Sequence, residues 1–320
     1  MERQFQAAPA TTPELSRDLF QPVTVTAEAA EAIHRPSISY WRDAWLRFRK
    51  NRLAMFGLML LVILALGSIF GPIISFHFGG KTFDHQDYAN LNKPPSAEYW
   101  FGTDQLGRDV FTRVWVGGRI SLFIGIMAAL IDLAIGVIYG GIAGYAGGRV
   151  DEIMMRIVDV LYGIPYLIVV ILLLVVMEPG ITSIIVAMGI TGWVGMARVV
   201  RGQFLQLREQ EFVLAARVLG AGARRLIFRH LVPNAMGPVL VVLTLTVPQA
   251  IFAEAFLSYI GLGVPVPLAS WGTMVNDGYK LIRTYPWQFF FPAAAISIAM
   301  FGFNVVGDGL RDALDPRLRK

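Results

Sequence analysis

Few residues of this chain could do chemistry, and none of them is arranged as a catalytic site. The four histidines, His34, His77, His85 and His230, all lie outside the long apolar stretches. The chain has no cysteine, no HExxH zinc motif and no GxSxG nucleophile motif. It also lacks the GxxxxGK[S/T] and GxGxxG loops that bind nucleotide phosphates. We therefore expect no catalytic residue, no metal site and no ATP site in this chain.

Two carboxylates lie well inside apolar stretches, and both could lie on a substrate pathway. Asp132 is near the middle of one stretch and Glu254 lies late in another, where we expect water to reach it. Charged side chains inside a bilayer are costly and usually face protein or water. The alternative for Asp132 is a local hydrogen bond to a neighbouring helix, and the alternative for Glu254 is a purely structural carboxylate.

The elements that hold these residues are long and apolar. The chain has 320 residues, of which 55% are hydrophobic and 16% charged, and its mean hydropathy is +0.55. A soluble domain has about 25% charged residues, so a soluble enzyme is excluded. A bilayer core needs about 20 predominantly apolar residues per helix. Six segments meet this need: residues 53–76, 120–146, 157–177, 181–197, 234–260 and 287–307. Gly136, Gly140 and Gly144, four residues apart, predict close helix packing in the second segment.

The positions of Lys and Arg predict the orientation. If the N-terminus is cytoplasmic, the inner segments carry 21 of the 28 basic residues. This positive-inside bias, with an even number of spans, places both termini in the cytoplasm and explains the basic pI of about 9.5 without nucleic acid. The predicted parts are a cytoplasmic tail with a basic interfacial helix (1–52), a first span (53–76), an external loop (77–119), a five-helix core (120–310) and a cytoplasmic tail (311–320). Residues 1–40 are predicted to be disordered, and the loop 261–276 to be irregular or re-entrant.

The longest inner connection, residues 203–233, contains two predicted short helices. The first spans about Glu209–Leu219, ended by Gly220, and the second about Ala223–Leu231, ended ahead of Pro233, with Asn234 capping the next span. One face of the first helix would hold Phe212, Ala215, Ala216 and Leu219, at i, i+3, i+4 and i+7. Its flat Ala-Ala centre would allow close approach of another protein, and the alternative is a helix lying on the inner leaflet.

This connection resembles the cytoplasmic coupling loop of bacterial ABC-importer permeases. That loop has the pattern EAA, three residues, Gly, nine residues and Ile-x-Leu-Pro, and Ala215, Ala216, Gly220 and Pro233 match it. Leu214, His230 and Val232 stand in the remaining positions. Further strings resemble the peptide and nickel branch: 47–52, 101–109, 147–156, 193–202, 211–213, 229–234, 270–274 and 307–316. The string 193–202 looks most like the C-type subunit of oligopeptide permeases, with the dipeptide subunit as the close alternative.

The resemblance implies an all-α integral membrane protein with the type I ABC-importer permease fold, in the bacterial inner membrane. It implies three kinds of protein partner: a second homologous permease, two ATPase subunits that bind ATP and Mg²⁺, and an extracytoplasmic peptide-binding protein. It also implies contact with membrane lipid. The residues that it assigns to ATPase coupling are Glu211, Phe212, Ala215, Ala216, Arg217, Leu219, Gly220 and Pro233. Permeases for dipeptides, glutathione or nickel remain alternatives, as do an ion-coupled secondary transporter and a membrane scaffold.

Overall fold

The computed structural model describes residues 39–178 and 180–315, and these are almost entirely helical. The predicted disordered segment and the end of the C-terminal tail lie outside the described residues, apart from Ser39 and Tyr40. The isolated bridge between Thr103 and Asp109 is the one β feature in the described ranges. The helices are α1 Tyr40–Lys50, α2 Arg52–Gly79, α3 Val110–Ala146, α4 Gly148–Gly163, α5 Tyr166–Val176, α6 Ile181–Arg208, α7 Glu211–Val218, α8 Ala223–Tyr259, α9 Trp271–Tyr279 and α10 Trp287–Leu314.

Five of these helices, α2, α3, α6, α8 and α10, are long and apolar enough to cross a membrane. The third predicted span, 157–177, is not one straight helix, because α4 and α5 meet at an angle of 81°. Ile164 at the bend has an extended backbone and precedes Pro165, and a residue before proline is disfavoured in helical conformation. The sixth span exists only if this bent pair is counted as one. The all-helical prediction is confirmed.

Helices α3 and α6 pack backbone against backbone along a row of glycines. A Cβ atom at Gly140 would clash with the carbonyl oxygen of Ala197, and one at Gly144 would lie 2.7 Å from Cβ of Phe204. Gly136 similarly faces Met196. The predicted close packing is confirmed, and it fixes the position of α6 and therefore of the segment that follows it.

Helix α9 lies in the segment that the sequence predicts as irregular. Ser270 accepts a hydrogen bond from the backbone N–H of Thr273, and the Thr273 hydroxyl accepts one from the N–H of Ser270. This reciprocal capping box starts the helix. Trp271 is fully buried against α3, where its Nε1 donates to the carbonyl of Val114 at 2.8 Å. The prolines of this segment obscured a short helix that begins only after them.

Helix α1 confirms the predicted amphipathic helix but ends two residues early. Asn51 separates α1 from α2. Its side-chain oxygen accepts hydrogen bonds from the N–H groups of Leu53 and Ala54, which caps the start of α2. Phe48 is buried beside α10, whereas Trp41 and Trp45 are about half exposed. The interfacial position of α1 stays a prediction.

The loop between α2 and α3 is folded around its own charges. Asp104 accepts from Nε of Arg108 at 2.7 Å and lies 3.5 Å from Nε of Arg113, and all three side chains are largely buried. These three charged groups are therefore paired with one another inside the loop. Gly107 has a φ of +73° and sits so close to the backbone of Asp87 that no side chain would fit.

Hydrogen bonds also tie down the first part of this loop. Asn90 donates to the Asp87 carboxylate, as do the backbone N–H of Ala89 and the hydroxyl of Tyr99. The Asn90 hydrogen bond is the largest cause that lowers the pKa of Asp87, while burial is the main cause that raises the pKa of Tyr99. Two side chains of α10 reach the same loop, since Trp287 Nε1 and Gln288 Nε2 donate to the carbonyl of Thr103.

Candidate functional site

Helix α7 follows the end of α6 and is anchored to α6 and α8 through one buried side chain. Gln210 has an extended backbone that interrupts the helical conformation after α6, and α7 begins at Glu211. Val213 is fully buried and packs in one cluster with Phe204 of α6 and with Leu226 and Leu231 of α8. Val213 therefore links α7 by direct packing to both neighbouring helices.

The exposed side of α7 is an apolar stripe. It consists of Leu214, Ala215, Val218 and Leu219, and the last two are each 87% exposed. Glu211 and Arg217 are exposed beside it. Large exposed apolar side chains on a short helix are typical of a protein contact surface. We call these four residues the α7 stripe.

The face predicted for this helix is wrong in one position. Ala216 is partly buried and packs against the cluster beneath α7, so it does not lie on the outer side. Phe212 is 44% exposed and its ring centroid lies 6.4 Å from that of His230. The sequence analysis missed Val218, which the helical period from Leu214 and Ala215 could have found.

The turn after α7 needs glycine at Gly220, as predicted. Its φ is +84°, a left-handed conformation that side chains with a Cβ rarely adopt. The Gly220 N–H donates to the carbonyl of Arg217, and the Ala221 N–H to that of Ala216, which closes the helix end. Gly222, by contrast, has a φ of −69° and starts α8.

Helix α8 does not stop before Pro233, which corrects the prediction of a separate second helix. Residues 226–231 form a π-helical stretch, and the N–H of Val232 donates to the carbonyl of Ile227, five residues back. This wider turn lets the chain continue through Pro233, which has no N–H to donate. Asn234 does not cap a new helix; its Nδ2 instead donates to the carbonyl of His230 at 2.6 Å. The last part of the segment 203–233 is thus the beginning of α8, which continues through the predicted fifth span.

The start of α8 presents a basic groove beside α7. The groove is open, with a volume of about 810 Å³, and is lined by Gly222, Ala223, Arg224, Arg225, Phe228, Arg229 and Pro233. Phe228 is 68% exposed. Together with the α7 stripe, this groove gives the end of the bundle an apolar surface flanked by cationic groups.

Asp132 lines a cavity of about 420 Å³ between α3, α5, α6 and α8. The side chain is 6% exposed, and its Oδ1 has no hydrogen-bond donor among the described residues. The predicted alternative, a hydrogen bond to a neighbouring helix, is therefore not what the structure has at this atom. Gly192 of α6 leaves room for the carboxylate, since a Cβ atom there would lie 2.8 Å from the carboxyl carbon.

Glu254 lies in a different environment from Asp132. It is fully buried and accepts hydrogen bonds from Ser121 of α3 at 3.1 Å and from Ser258 at 2.7 Å. The prediction that water reaches Glu254 is wrong, because the capped start of α9 covers it from the other side. The structure supports the alternative, a structural carboxylate that joins α3 to α8.

The described residues hold no group of three His, Asp or Glu side chains that could bind a metal ion. Glu254 does not line the cavity at Asp132, and the α7 stripe contributes no residue to that cavity. The arrangement therefore offers two separate features: an exposed apolar surface on α7 and a cavity that holds one carboxylate.

Comparison with known proteins identifies the family of this bundle. Residues 136–320 match the family described as the binding-protein-dependent transport system inner membrane component. The chain belongs to this family of transport permeases. Residues 39–95 also match the N-terminal transmembrane domain of oligopeptide transport permease C.

Relatives along nearly the whole chain support the same assignment. The permease is 59% identical to the oligopeptide transport system permease protein OppC of Bacillus subtilis, over 96% of this chain and 99% of that protein. It is also 59% identical to the dipeptide transport system permease protein DppC of the same species, over 91% of this chain and 90% of that protein. OppC of Escherichia coli is 44% identical over 88% of this chain and 92% of its own length.

A solved structure confirms the fold of the permease. The MetNI methionine ABC transporter, in inward-facing conformations, contains a chain that superposes with a TM-score of 0.52 and 18% identity. The match covers 64% of this chain and 96% of that chain. The permease therefore has the type I ABC-importer permease fold and is an inner membrane transport component, not an enzyme.

Proposed function

We propose that this permease is the C-type membrane subunit of an ATP-driven importer of oligopeptides. The observation that carries this proposal is the 59% identity to OppC over nearly the full length of both chains. In this function the permease forms half of a translocation pathway, and a second homologous permease forms the other half. ATP and Mg²⁺ are bound by two separate ATPase subunits, and an extracytoplasmic binding protein delivers the peptide.

Dipeptide import is the second candidate, because the identity to DppC of Bacillus subtilis is equally high. Glutathione and nickel permeases remain further alternatives from the sequence pattern. An ion-coupled secondary transporter is disfavoured, because the chain belongs to the binding-protein-dependent family.

In the proposed orientation, both termini and the segment 203–233 face the cytoplasm. The α7 stripe docks into a groove on one ATPase, and the basic groove at the start of α8 lies beside this contact. Closure of the ATPase pair on ATP moves α7, and Val213 carries this movement into α6 and α8. Because α8 runs as one helix from the basic groove beside the docking site through its apolar length, the helix tilts and switches the pathway between two states.

Coupling residues keep the roles that the resemblance implies, with two changes in detail. Leu219, Ala215 and Phe212 contact the ATPase directly, together with Val218. Ala216 acts from below as a small residue that lets α7 lie close to the bundle. Glu211 and Arg217 form the polar edge of the contact, and Pro233 lines the adjoining groove.

Replacement of Gly220 tests the coupling role. Valine at φ +84° is strained by roughly 1–3 kcal/mol, so Gly220→Val should displace the C-terminal end of α7. The matched control is Gly222→Val, because Gly222 is equally free of neighbours within 4 Å but has an ordinary negative φ. We expect Gly220→Val to reduce ATP-dependent peptide uptake strongly at normal membrane levels, and Gly222→Val to reduce it far less. Normal uptake by the Gly220 variant would contradict the role of the turn.

Purification from native membranes tests the assembly itself. We expect a second permease, one or two kinds of ATPase chain and a peptide-binding protein to copurify. A chain that purifies alone and moves solute in liposomes without ATP would overturn the proposed function.

A further inference from the structure

The cavity at Asp132 has the composition of a weak binding site for one charged group. Its walls are mainly apolar and include Met188, Met196 and Val242, and among the described residues Asp132 is the one charged side chain that lines it. Among the described residues, three further polar side chains line it: Tyr166 of α5, and Thr246 and Gln249 of α8. The Thr246 hydroxyl already donates to the carbonyl of Val242 at 2.9 Å.

Asp132 lacks the partners that a buried carboxylate normally has. Its Oδ1 accepts no hydrogen bond in the described part of the chain, and no Lys, Arg or His of this part forms an ion pair with it. Buried charges are expensive unless they are paired and hydrogen-bonded. Glu254 shows how this same bundle treats a carboxylate with a structural role, since two serine hydroxyls donate to it.

The cavity is accessible from one side of the chain. Gly195 and Gln249, which belong to its lining, are both exposed. A group that enters past these residues would meet the carboxylate after crossing only apolar wall. Gly192 leaves the carboxylate free to face the cavity, because a side chain there would occupy its place.

We propose that Asp132 transiently binds the α-ammonium group of a peptide during its passage through the permease. This inference rests on the proposed function and specifies the chemistry of one point on its pathway. An ammonium group has three N–H donors, which would satisfy the unpartnered carboxylate oxygen. Every unmodified peptide carries this group whatever its sequence, so one carboxylate serves all peptides.

The apolar wall fits the same purpose. Methionine side chains are flexible and polarizable, so Met188 and Met196 adapt to different peptide side chains without selecting one of them. One charge-assisted contact surrounded by adaptable walls gives weak and sequence-tolerant binding. Such binding allows release, which transport requires.

Saturation-transfer NMR can test the proposal on the complete permease–ATPase complex in nanodiscs, without the binding protein. The probes are trialanine and N-acetyl-trialanine, which differ in the ammonium group. The variants are Asp132→Asn, which keeps the size of the side chain, and Thr246→Val as a matched control in the same cavity. We expect the wild-type complex to prefer trialanine, and Asp132→Asn to weaken trialanine binding about tenfold while leaving the acetylated peptide unchanged. Thr246→Val should keep the wild-type preference.

Three results would overturn the proposal. The first is equal binding of both peptides to the wild type, and the second is an equal loss of both peptides in Asp132→Asn. The third is a lower yield or unfolding temperature of the Asp132→Asn complex with unchanged peptide preference. Asp132 would then pair with a cationic side chain of the second permease and not with the peptide. ATP-dependent trialanine uptake by wild-type proteoliposomes with the binding protein is measured separately. A lack of uptake there would refute the proposed function itself, whereas uptake without an ammonium preference would refute only the role of Asp132.

Discussion

Two valines of the short helix α7 should separate its anchoring from its docking. Val213 is fully buried among residues of α6 and α8, and Val218 is 87% exposed on the α7 stripe. The perturbations are Val213→Ala and Val218→Ala. Both replace valine by alanine in the same helix, so the gain in helix propensity of a few tenths of a kcal/mol is common to both.

The burial of each side chain sets the expected magnitudes. Val213→Ala removes two buried methyl groups at about 0.8 kcal/mol each, or about 1.6 kcal/mol, and more if the cavity persists. Val218→Ala should change the free energy of unfolding by less than about 0.5 kcal/mol, because its side chain is in solvent in the isolated chain. If Val218 is buried against the ATPase, loss of the same two methyl groups weakens that contact by up to about 15-fold.

Two assays on the purified proteins distinguish these effects. Thermal unfolding in detergent should show a lower midpoint for Val213→Ala and an unchanged midpoint for Val218→Ala. Titration of the ATPase onto permease in nanodiscs should show weaker binding for Val218→Ala. Equal loss of stability in both variants would refute the assignment of inner and outer faces. Unchanged ATPase binding by Val218→Ala would refute the α7 stripe as the docking surface.

Two further substitutions test the packing of the bundle. Gly140→Ala should lower the free energy of unfolding by about 1–3 kcal/mol, because its Cβ meets the backbone of α6. Gly202→Ala, with open space around it, should leave the unfolding midpoint unchanged or raise it, and an equal loss in both would contradict close packing. Glu254→Ala should cost about 1–3 kcal/mol, because it leaves two serine hydroxyls without an acceptor, and Glu254→Gln should cost less. A change in peptide preference without loss of stability in Glu254→Ala would instead place this residue on the pathway.

Apolar length and glycine spacing were enough to predict the helical bundle and the α3–α6 contact, because both depend on local composition. Helix ends were predicted less well. Val110 begins α3 ten residues before the apolar stretch, since Asp109 caps the helix and Arg113 is buried by an ion pair across the loop. Long-range pairing of this kind leaves no periodic signal in the sequence.

The candidate site was predicted in the same uneven way. The end of α7 could be predicted, because glycine is the usual residue where a helix ends in a left-handed turn. Gly220 has this left-handed backbone in the structure. Sequence spacing could not show that Pro233 lies inside a continuous helix, because the π-helical turn that admits it is set by backbone hydrogen bonds. It also could not separate Asp132 from Glu254, because both are single carboxylates in apolar segments and only their neighbours differ.

The length of α3 has a consequence for how the two aqueous sides communicate. Its 37 residues make a rod of roughly 55 Å, against a hydrocarbon layer of about 30 Å. The rod therefore extends past the lipid, tied at one end to the folded loop through Asp109 and ending at the other at Gly147, beside the Arg208 guanidinium. The helix contains no proline that would kink it, so we expect it to move as one stiff unit. When this helix pivots about its contacts within the membrane, its two ends are displaced in opposite directions.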